Sequence, residues 1–265
     1  MMNWSRRVRV GMFFVLWGWL SLTACAQEIG SDWPQFLGPQ RNGHSTETGL
    51  INTWPENGPK EVWRKPGGVG MSGLVIQGPT VVTLVQKQEQ QWLLALDAKT
   101  GDTKWETPLA PEYRNGMGNG PRGTPAISGD RVFAFTGEGI LVAAELATGK
   151  IVWSKDTIKD LGGKPAEYGM ACSPLVHDGL VMVTVGGTKG AVAAYDVTSG
   201  QRKWATGDHP AGYSSPTVLD INGRKQIVAF VGNAALGLHP SSGNLLWQYP
   251  YETNYDCNIA TPLAI

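Results

Sequence analysis

The sequence has little of three features that often narrow a protein's function: net charge, cysteine and helical patterning. Its 22 basic residues balance 22 acidic ones, so the charge gives no reason to expect a nucleic acid or an anionic membrane surface as a partner. The three cysteines are too few for a fold held together by disulfides. Beyond the N-terminal segment, no stretch keeps the apolar spacing of an amphipathic helix, which disfavours a helical bundle.

The cysteines also carry no sign of a metal or haem site. Cys172 and Cys257 lie outside any CxxC or Cys/His spacing, they are not adjacent, and the chain has no CxxCH motif. We therefore predict no metal site at these residues and interpret both cysteines as structural or incidental.

The N-terminus has the order of an export signal. Arg6, Arg7 and Arg9 precede an apolar run at residues 10–22, which is shorter than the roughly 20 residues that span a bilayer. The run ends in Leu-Thr-Ala-Cys, which resembles a lipobox with Cys25 as the acylated residue, although cleavage after Ala26 also fits. We predict a signal peptide at residues 1–25 and a protein that is lipid-anchored in the periplasm or at the outer membrane, or else secreted.

What the sequence does contain is a repeat. Four segments align without a gap, and each has a short apolar run, a Thr-Gly or Ser-Gly turn and a tryptophan four residues after the glycine. They are residues 93–105 (LLALDAKTGDTKW), 141–153 (LVAAELATGKIVW), 192–204 (VAAYDVTSGQRKW) and 235–247 (ALGLHPSSGNLLW). Trp63 resembles the end of one more copy. A period of about 40–50 residues, with about four strands per unit, is typical of a β-propeller.

Each repeat can be interpreted strand by strand. A Ser-Pro or Thr-Pro step opens most units, a glycine turn separates the first two strands, and the tryptophan lies on the fourth. The glycines supply the left-handed turn and the tryptophans are expected to lie flat between neighbouring blades, so we assign these residues structural rather than catalytic roles. They are Gly101, Trp105, Gly149, Trp153, Gly200, Trp204, Gly243 and Trp247.

These repeats resemble those of the pyrroloquinoline-quinone (PQQ) type β-propellers, which have eight blades and include quinoprotein alcohol dehydrogenases and the BamB lipoprotein. The likeness covers residues 32–265, including DWPQFLGPQRNG at 32–43, GNGPRGTP at 118–125, AGYSSP at 211–216 and NIATP at 258–262. We accordingly predict an all-β chain with an extended leader at residues 26–60 and PQQ-like repeats at 61–265. The complete four-stranded blades are expected at about 72–109, 124–157, 173–206 and 215–249, with a partial one from 261.

Four complete blades are half of the eight that the resemblance implies. We therefore expect the sequence to be a fragment of a longer propeller. The alternative is a small ring of about five blades, in which the Trp63 strand pairs with the segment from 261.

Chemistry is expected in the loops that lead into each innermost strand, because they line one mouth of a propeller channel. These loops are residues 113–123, 162–172, 207–213 and 251–258. Their candidate binding residues, for a ligand or a partner, are Arg122, Glu167, Tyr168, His209, Tyr213, Asn254 and Asp256. No catalytic residue is predicted.

Two functions follow from the resemblance. We favour a binding or scaffold module of the cell envelope, with an envelope protein or peptide as partner, since exposed strand edges can take up an extended peptide. The alternative is a PQQ- and calcium-dependent alcohol dehydrogenase of the polyvinyl-alcohol type. Against it, the chain lacks the adjacent cysteines that such dehydrogenases often carry, and its residues match no calcium motif of the family. Glycan binding is disfavoured because the tryptophans occupy a regular, buried place in the repeat.

Overall fold

A computed structural model describes Met1 and residues 32–263, so the predicted signal peptide and Cys25 lie outside the described residues. The described strands form four separate four-stranded antiparallel sheets, here called blades 1 to 4. The strands are β1 Val75–Gln77, β2 Thr80–Lys87, β3 Gln90–Asp97 and β4 Thr103–Pro111 in blade 1; β5 Ala126–Ser128, β6 Arg131–Phe135, β7 Ile140–Glu145 and β8 Ile151–Asp156 in blade 2; β9 Leu175–His177, β10 Leu180–Thr184, β11 Val192–Asp196 and β12 Arg202–Thr206 in blade 3; and β13 Thr217–Ile221, β14 Arg224–Val231, β15 Ala234–Leu238 and β16 Leu245–Pro250 in blade 4.

Neighbours in sequence are neighbours in every sheet, so each blade is a simple meander. The first strands of the blades, β1, β5 and β9, contact one another in order, which places them on the inside of the array. The prediction of an all-β propeller-type chain with four complete blades is confirmed. A short helix, α1 (Thr157–Leu161), lies between blades 2 and 3, and a 3-10 turn at Asn254–Asp256 follows blade 4. Among the described residues, no helix has the length and apolar character that a membrane crossing requires.

The apolar cores lie between adjacent blades rather than inside any one of them. Strand β6 shows why: Val132 belongs to the cluster shared with blade 1, whereas Phe133 and Phe135 belong to the cluster shared with blade 3. Successive side chains of a strand point to opposite faces, so a middle strand buried on both faces must be apolar throughout. This explains why the middle strands are continuous apolar runs in the sequence.

Each repeat tryptophan of blades 1 to 3 joins its blade to the next one. Trp105 donates its indole N–H to the carbonyl of Leu146 at 2.9 Å, and Trp153 donates to Val197 at 3.1 Å. Each ring also lies on the turn glycine of the next blade; a Cβ on Gly149 would be 2.4 Å from the ring of Trp105. Because that glycine also has a φ of 72°, the turn requires glycine both for its backbone angle and for the close approach of the indole.

The segment before the first blade crosses the inner strands of three blades in succession. Trp33 pairs with Ile76 of β1, the carbonyl of Pro34 accepts from Ile127 of β5, and Arg41 donates to the carbonyls that precede β9. We call residues 32–43 the crossing segment. Through these contacts the crossing segment connects the inner strands of blades 1, 2 and 3.

Candidate binding site at the channel rim

Three loops form one edge of the blade array, because each leaves the last strand of one blade and leads toward the inner strand of the next, and a fourth loop follows the last strand of blade 4. We call residues 113–123, 162–172, 207–213 and 251–258 the rim. Helix α1 leads into the second of these loops. Its N-terminus is closed by Asp156, which accepts from the backbone N–H of Lys159 at 3.0 Å, and its C-terminus by Gly162 at φ 64°.

Tyrosines from three rim loops meet at one point. The rings of Tyr168 and Tyr213 stack with centroids 5.8 Å apart, and Tyr255 lies 6.5 Å from Tyr168 at a tilted angle. The hydroxyl of Tyr213 accepts from the backbone N–H of Tyr168 at 3.3 Å. Offset and tilted pairs at this spacing are attractive, so the three side chains form one aromatic surface, here called the tyrosine cluster.

The hydroxyls of Tyr168 and Tyr213 remain protonated at neutral pH. Partial burial raises the pKa of Tyr168, and the neighbouring Glu167 carboxylate adds to the rise. Burial likewise raises the pKa of Tyr213. Each phenol can therefore donate a hydrogen bond to a ligand, while its ring offers apolar contact.

Beside the tyrosine cluster is an open cavity of about 480 Å³. Its walls come from the second, third and fourth rim loops and from the turn at residues 186–188, and they carry charges of both signs. The ionisable lining residues are Lys164, Glu167, Asp208, His209, Tyr213, Tyr255 and Asp256. A second cavity of about 490 Å³ lies toward the inner strands and shares Tyr213 as a wall. Such a mixture of aromatic and two-sign polar groups suits a ligand that has both characters, such as a peptide.

The fourth rim loop is held in a strained conformation. Tyr255 and Asp256 have φ of 61° and 54°, in the left-handed region that residues other than glycine seldom adopt. The loop is fixed by the buried Asn258, whose amide donates to the carbonyls of Val231, Gly232 and Tyr251 at 2.8–3.1 Å. Strain of this kind often marks a functional segment, and here it orients two cavity-lining side chains.

The structure brings most of the predicted rim residues together. Glu167, His209, Tyr213 and Asp256 line the cavity, and Tyr168 stacks on Tyr213. Asn254 is exposed and begins the 3-10 turn, without lining the cavity.

Two of the predicted residues have their polar groups engaged within the protein. The guanidinium of Arg122 donates to the carbonyls of Gly118 and Gly120 at 2.7 and 2.6 Å and lies 4.5 Å from the ring centre of Tyr113. Arg122 therefore shapes its own loop. His209 Nδ1 is 2.6 Å from the side-chain oxygen of Asn233; since that oxygen only accepts, Nδ1 carries a proton and the ring orientation is fixed.

Sequence reasoning did not single out Lys164, Asp208 or Tyr255, although all three lie in the predicted loops. A usable signal was present, because every rim loop carries a tyrosine: Tyr113, Tyr168, Tyr213 and Tyr255. Tyr113 differs from the others in its surroundings. Its side chain lies between Gly137 and Gly169, where an added Cβ would come within 2.9 Å of its ring and 2.7 Å of its hydroxyl oxygen, respectively.

The described residues form no cluster of carboxylates of the kind that could hold the calcium ion of the dehydrogenase alternative. Within residues 32–263, no three His, Cys, Asp or Glu side chains are close enough to hold one metal ion. Cys172 is buried and Cys257 is partly buried, and both are free thiols.

Residues 89–259, most of the blade array, match the family model described as outer membrane protein assembly factor BamB. The chain belongs to this family. The resemblance inferred from the tryptophan repeats is confirmed.

Curated relatives include quinone-dependent enzymes. The chain is 36% identical over 138 residues to the dehydrogenase subunit of a quinone alcohol dehydrogenase from Acetobacter aceti, a match that covers 48% of this chain and 18% of that one. It is 31% identical over 141 residues to the quinohemoprotein alcohol dehydrogenase ADH IIB of Pseudomonas putida, covering 48% of this chain and 20% of that one. The chain thus matches no more than about a fifth of the length of either relative.

A solved structure supports the fold. The quinohemoprotein alcohol dehydrogenase from Comamonas testosteroni superposes with a TM-score of 0.59 at 18% identity, covering 83% of this chain and 41% of that one. At this identity the likeness concerns the arrangement of blades only.

Proposed function

We propose that this protein is a binding module of the cell envelope and that the rim is where it holds a partner protein or peptide. The observation that carries the proposal is the tyrosine cluster, which lies at the edge of an open cavity of about 480 Å³. Tyr255 is 68% exposed, so its ring is accessible to a partner that enters the cavity.

The chemistry of the cavity supports an extended polypeptide as the ligand. Tyrosine is enriched where proteins meet, because it combines a large apolar ring with a hydrogen-bonding hydroxyl. Around the cluster, Lys164 and His209 can face acidic groups, while Glu167, Asp208 and Asp256 can face basic ones or backbone N–H groups. An extended peptide presents all of these partners in turn.

The envelope assignment rests on the family and on the N-terminal sequence. The family model is that of an outer membrane assembly factor, and Cys25 follows an apolar run as the acylated residue of a lipoprotein does. We expect the mature protein to begin at a lipidated Cys25. Mass spectrometry of the mature N-terminus tests this, and an unmodified start at Gln27 contradicts it.

Site-specific photo-crosslinking in the producing cell tests the rim. A photoreactive amino acid at position 255 is expected to form a discrete adduct with an exported protein. The same amino acid at position 249 is the matched control, since Tyr249 is 64% exposed but lies on β16 and lines neither of the two cavities at the rim. Adducts at both positions, or none at 255, contradict the proposal.

The identified partner then allows an affinity measurement. Tyr255→Ala is expected to weaken its binding by about tenfold or more, as the loss of a central interface tyrosine commonly does. Tyr249→Ala is expected to leave the affinity unchanged. An equal loss in both variants would indicate that binding does not centre on the rim.

The second candidate is a quinone-dependent alcohol dehydrogenase, favoured by the 36% identity to such an enzyme over 138 residues. Adding PQQ and Ca²⁺ to the purified protein separates the two functions. A dehydrogenase gains quinone absorbance and dye-linked alcohol oxidation, whereas we expect the binding module to show neither.

A further inference from the structure

The rim has a second open cavity, toward the inner strands, whose lining differs from that of the cavity beside the tyrosine cluster. We call it the inner cavity, with a volume of about 490 Å³, and the one beside the tyrosine cluster the outer cavity, of about 480 Å³. The outer cavity carries charges of both signs. The large apolar side chains of the inner cavity come from the crossing segment, from the residues before β1 and from the residue after the fourth rim loop; they are Trp33, Phe36, Leu37, Met71, Leu74 and Ile259.

Three of these apolar side chains are mostly exposed. Met71, Leu74 and Ile259 are 56%, 59% and 65% exposed, respectively, and all three line the inner cavity. A single exposed apolar side chain is ordinary on a protein surface, but three that line one concavity form an apolar patch. Patches of this kind, with a few polar groups at their border, are where ligands and partner proteins bind.

The backbone on both sides of Ile259 is fixed by hydrogen bonds. Before it, the carbonyl of Asn258 accepts from the backbone N–H of Tyr213 at 3.0 Å. After it, the carbonyl of Ala260 accepts from the hydroxyl of Ser214 at 2.8 Å. Because the main chain is already ordered, a ligand that covers the Ile259 side chain pays little for immobilising it.

Met71 and Leu74 are held in a similar way. The N–H of Met71 donates to the carbonyl of Pro121 at 2.8 Å. Gly73, next to Leu74, donates its N–H to Oγ1 of Thr124 at 3.1 Å. Both bonds join the segment before blade 1 to the segment before blade 2. The apolar wall of the inner cavity is therefore formed before any ligand arrives.

The inner cavity offers few polar groups to a ligand. Among its described lining residues, Arg122 has the only formal charge, and its guanidinium already donates to two carbonyls of its own loop. The hydroxyl oxygens of Thr124, Ser173 and Ser215 each accept a backbone N–H from the segment that leads into the preceding blade, at 2.9–3.1 Å. A charged group placed here would lose its hydration without compensation, so the lining favours an apolar group.

Tyr213 connects the two cavities, because it is a wall of both. An extended chain held at the tyrosine cluster therefore passes beside the entrance of the inner cavity. We propose that the polypeptide bound at the rim inserts one apolar side chain, aliphatic or aromatic, into the inner cavity, while its charged neighbours stay in the outer cavity. This inference rests on the proposed function and adds the feature that the protein recognises in its partner, an apolar anchor flanked by charged residues.

Short random peptides displayed on phage test the inference, with the whole purified chain as the target. Selected peptides are synthesised, and fluorescence anisotropy measures their affinity for the native protein and for Tyr255→Ala. Peptides that Tyr255→Ala weakens about tenfold or more are bound at the rim. We expect these rim-binding peptides to share one apolar residue next to charged ones.

Variants of the apolar wall then locate that residue. Leu74→Ser and Ile259→Ser are each expected to weaken the rim-binding peptides about tenfold, because the apolar contact is lost. Replacing the shared apolar residue of the peptide by alanine should weaken binding by a similar factor. The peptide and protein changes combined should cost less than the product of the two factors, since they remove the same contact.

Leu50→Ser and Leu245→Ser are the matched controls, because these leucines are 69% and 49% exposed and line neither cavity. Both controls are expected to leave the affinity unchanged. All four side chains are about half exposed or more, so the variants should keep the fold, and thermal unfolding checks this.

The outcomes separate this inference from the proposed function. Rim-binding peptides that share no apolar residue overturn the inference and leave the proposed function standing. So do rim-binding peptides whose affinity Leu74→Ser and Ile259→Ser leave unchanged, or whose losses simply multiply with that of the peptide change. If no peptide is selected, or if Tyr255→Ala weakens none of them, the proposed function fails and the inference fails with it.

Discussion

Blade 1 and blade 4 each have a face that packs on no other described blade. The two faces differ in how a tryptophan covers them. On blade 1, Trp63 covers the face: its ring would lie 2.7 Å from a Cβ on Gly101, and its N–H donates to the carbonyl of Ala98 at 2.9 Å. This is the same contact that Trp105, Trp153 and Trp204 make between blades. The segment around Trp63 thus behaves toward blade 1 as a preceding blade would.

On blade 4, no turn among the residues that the structure describes receives the repeat tryptophan. Trp247 instead donates to the side-chain oxygen of Gln226 at 2.7 Å and lies over Gly237, both in its own blade. Leu245 and Leu246 beside it are each 49% exposed, and Leu263 is 63% exposed. The repeat tryptophan therefore connects two blades in blades 1 to 3, whereas in blade 4 it is a partly exposed side chain that contacts only its own blade. Its contribution to stability depends on the glycine turn that receives it.

The largest difference in the free energy of unfolding is expected between the variants Trp204→Ala and Trp247→Ala. Trp204 is 8% exposed and donates to the carbonyl of Pro240 at 3.2 Å, so its loss leaves a cavity and is expected to cost about 3–5 kcal/mol. Trp247→Ala is expected to cost about 1 kcal/mol. Urea unfolding followed by circular dichroism measures both. Equal losses would show that the blade 4 face is covered in solution.

A smaller effect is expected at the glycine that receives Trp204. Gly243 has a φ of 70°, and a Cβ there would lie 2.4 Å from the indole, so Gly243→Ala is expected to destabilise the protein by about 1–3 kcal/mol. Gly237→Ala is the control: its Cβ would meet Trp247, whose half-exposed ring can turn aside. Thermal unfolding of the two variants should therefore differ, and a larger loss at Gly237 would contradict the explanation.

The variant Trp63→Ala tests whether the Trp63 side chain covers the outer face of blade 1 in solution. The variant uncovers the apolar cluster of Val81, Val85, Leu94 and Leu96, and about 2 kcal/mol of stability is expected to be lost with the half-buried ring. Binding of the dye ANS should rise as well, because the uncovered cluster becomes accessible. Unchanged stability and dye binding would mean that the segment is detached from blade 1 in solution.

The blades could be predicted from the sequence because the strands that pair within each blade follow one another in the chain. A strand, its turn and the next strand are close in the chain, and the glycine and tryptophan of each repeat mark the fourth strand directly. In all four blades, the pairing between the third strand and the tryptophan strand has a register irregularity next to the tryptophan. On the third strand it lies between residues 95 and 96, 143 and 144, 194 and 195, and 237 and 238. Nothing in the residue types announces it, since alanine or glycine next to a large residue is common in strands.

The burial of Arg41 and the tyrosine cluster could not be predicted in the same way. Arg41 bonds to the carbonyl of Ser173, 132 residues away, and a polar residue in a Pro-Gln-Arg-Asn-Gly segment gives no sign that it will be buried. Tyr255 lies in a loop that Asn258 fixes by hydrogen bonds to Val231 and Gly232, which are 27 and 26 residues earlier in the chain. The sequence located the rim loops, but which of their side chains would meet depended on three-dimensional packing.

The turns before the tryptophan strands provide the smallest and most specific test, since blades 1 and 3 carry an aspartate where blades 2 and 4 do not. Asp97 accepts from the backbone N–H groups of Lys99 and Thr100 at 2.9 and 3.1 Å, and these bonds lower its pKa below the ordinary value of 3.8. A carboxylate whose pKa is lower in the folded state stabilises the fold above its unfolded pKa, and that stabilisation is lost as the pH falls through the folded pKa.

We therefore expect Asp97→Asn to lower the melting temperature slightly at neutral pH, with the difference from the native protein vanishing at a pH well below 3.8. Melting curves between about pH 2 and pH 7 measure it. Glu145→Gln is the matched control in blade 2, because in this turn the glutamate side chain accepts only from the hydroxyl of Thr148, at 2.7 Å. Its pH-dependent difference should be smaller. A larger pH-dependent difference for Glu145→Gln would contradict this explanation. It would mean that the charge in these turns stabilises the fold by a route other than the two backbone hydrogen bonds that Asp97 accepts.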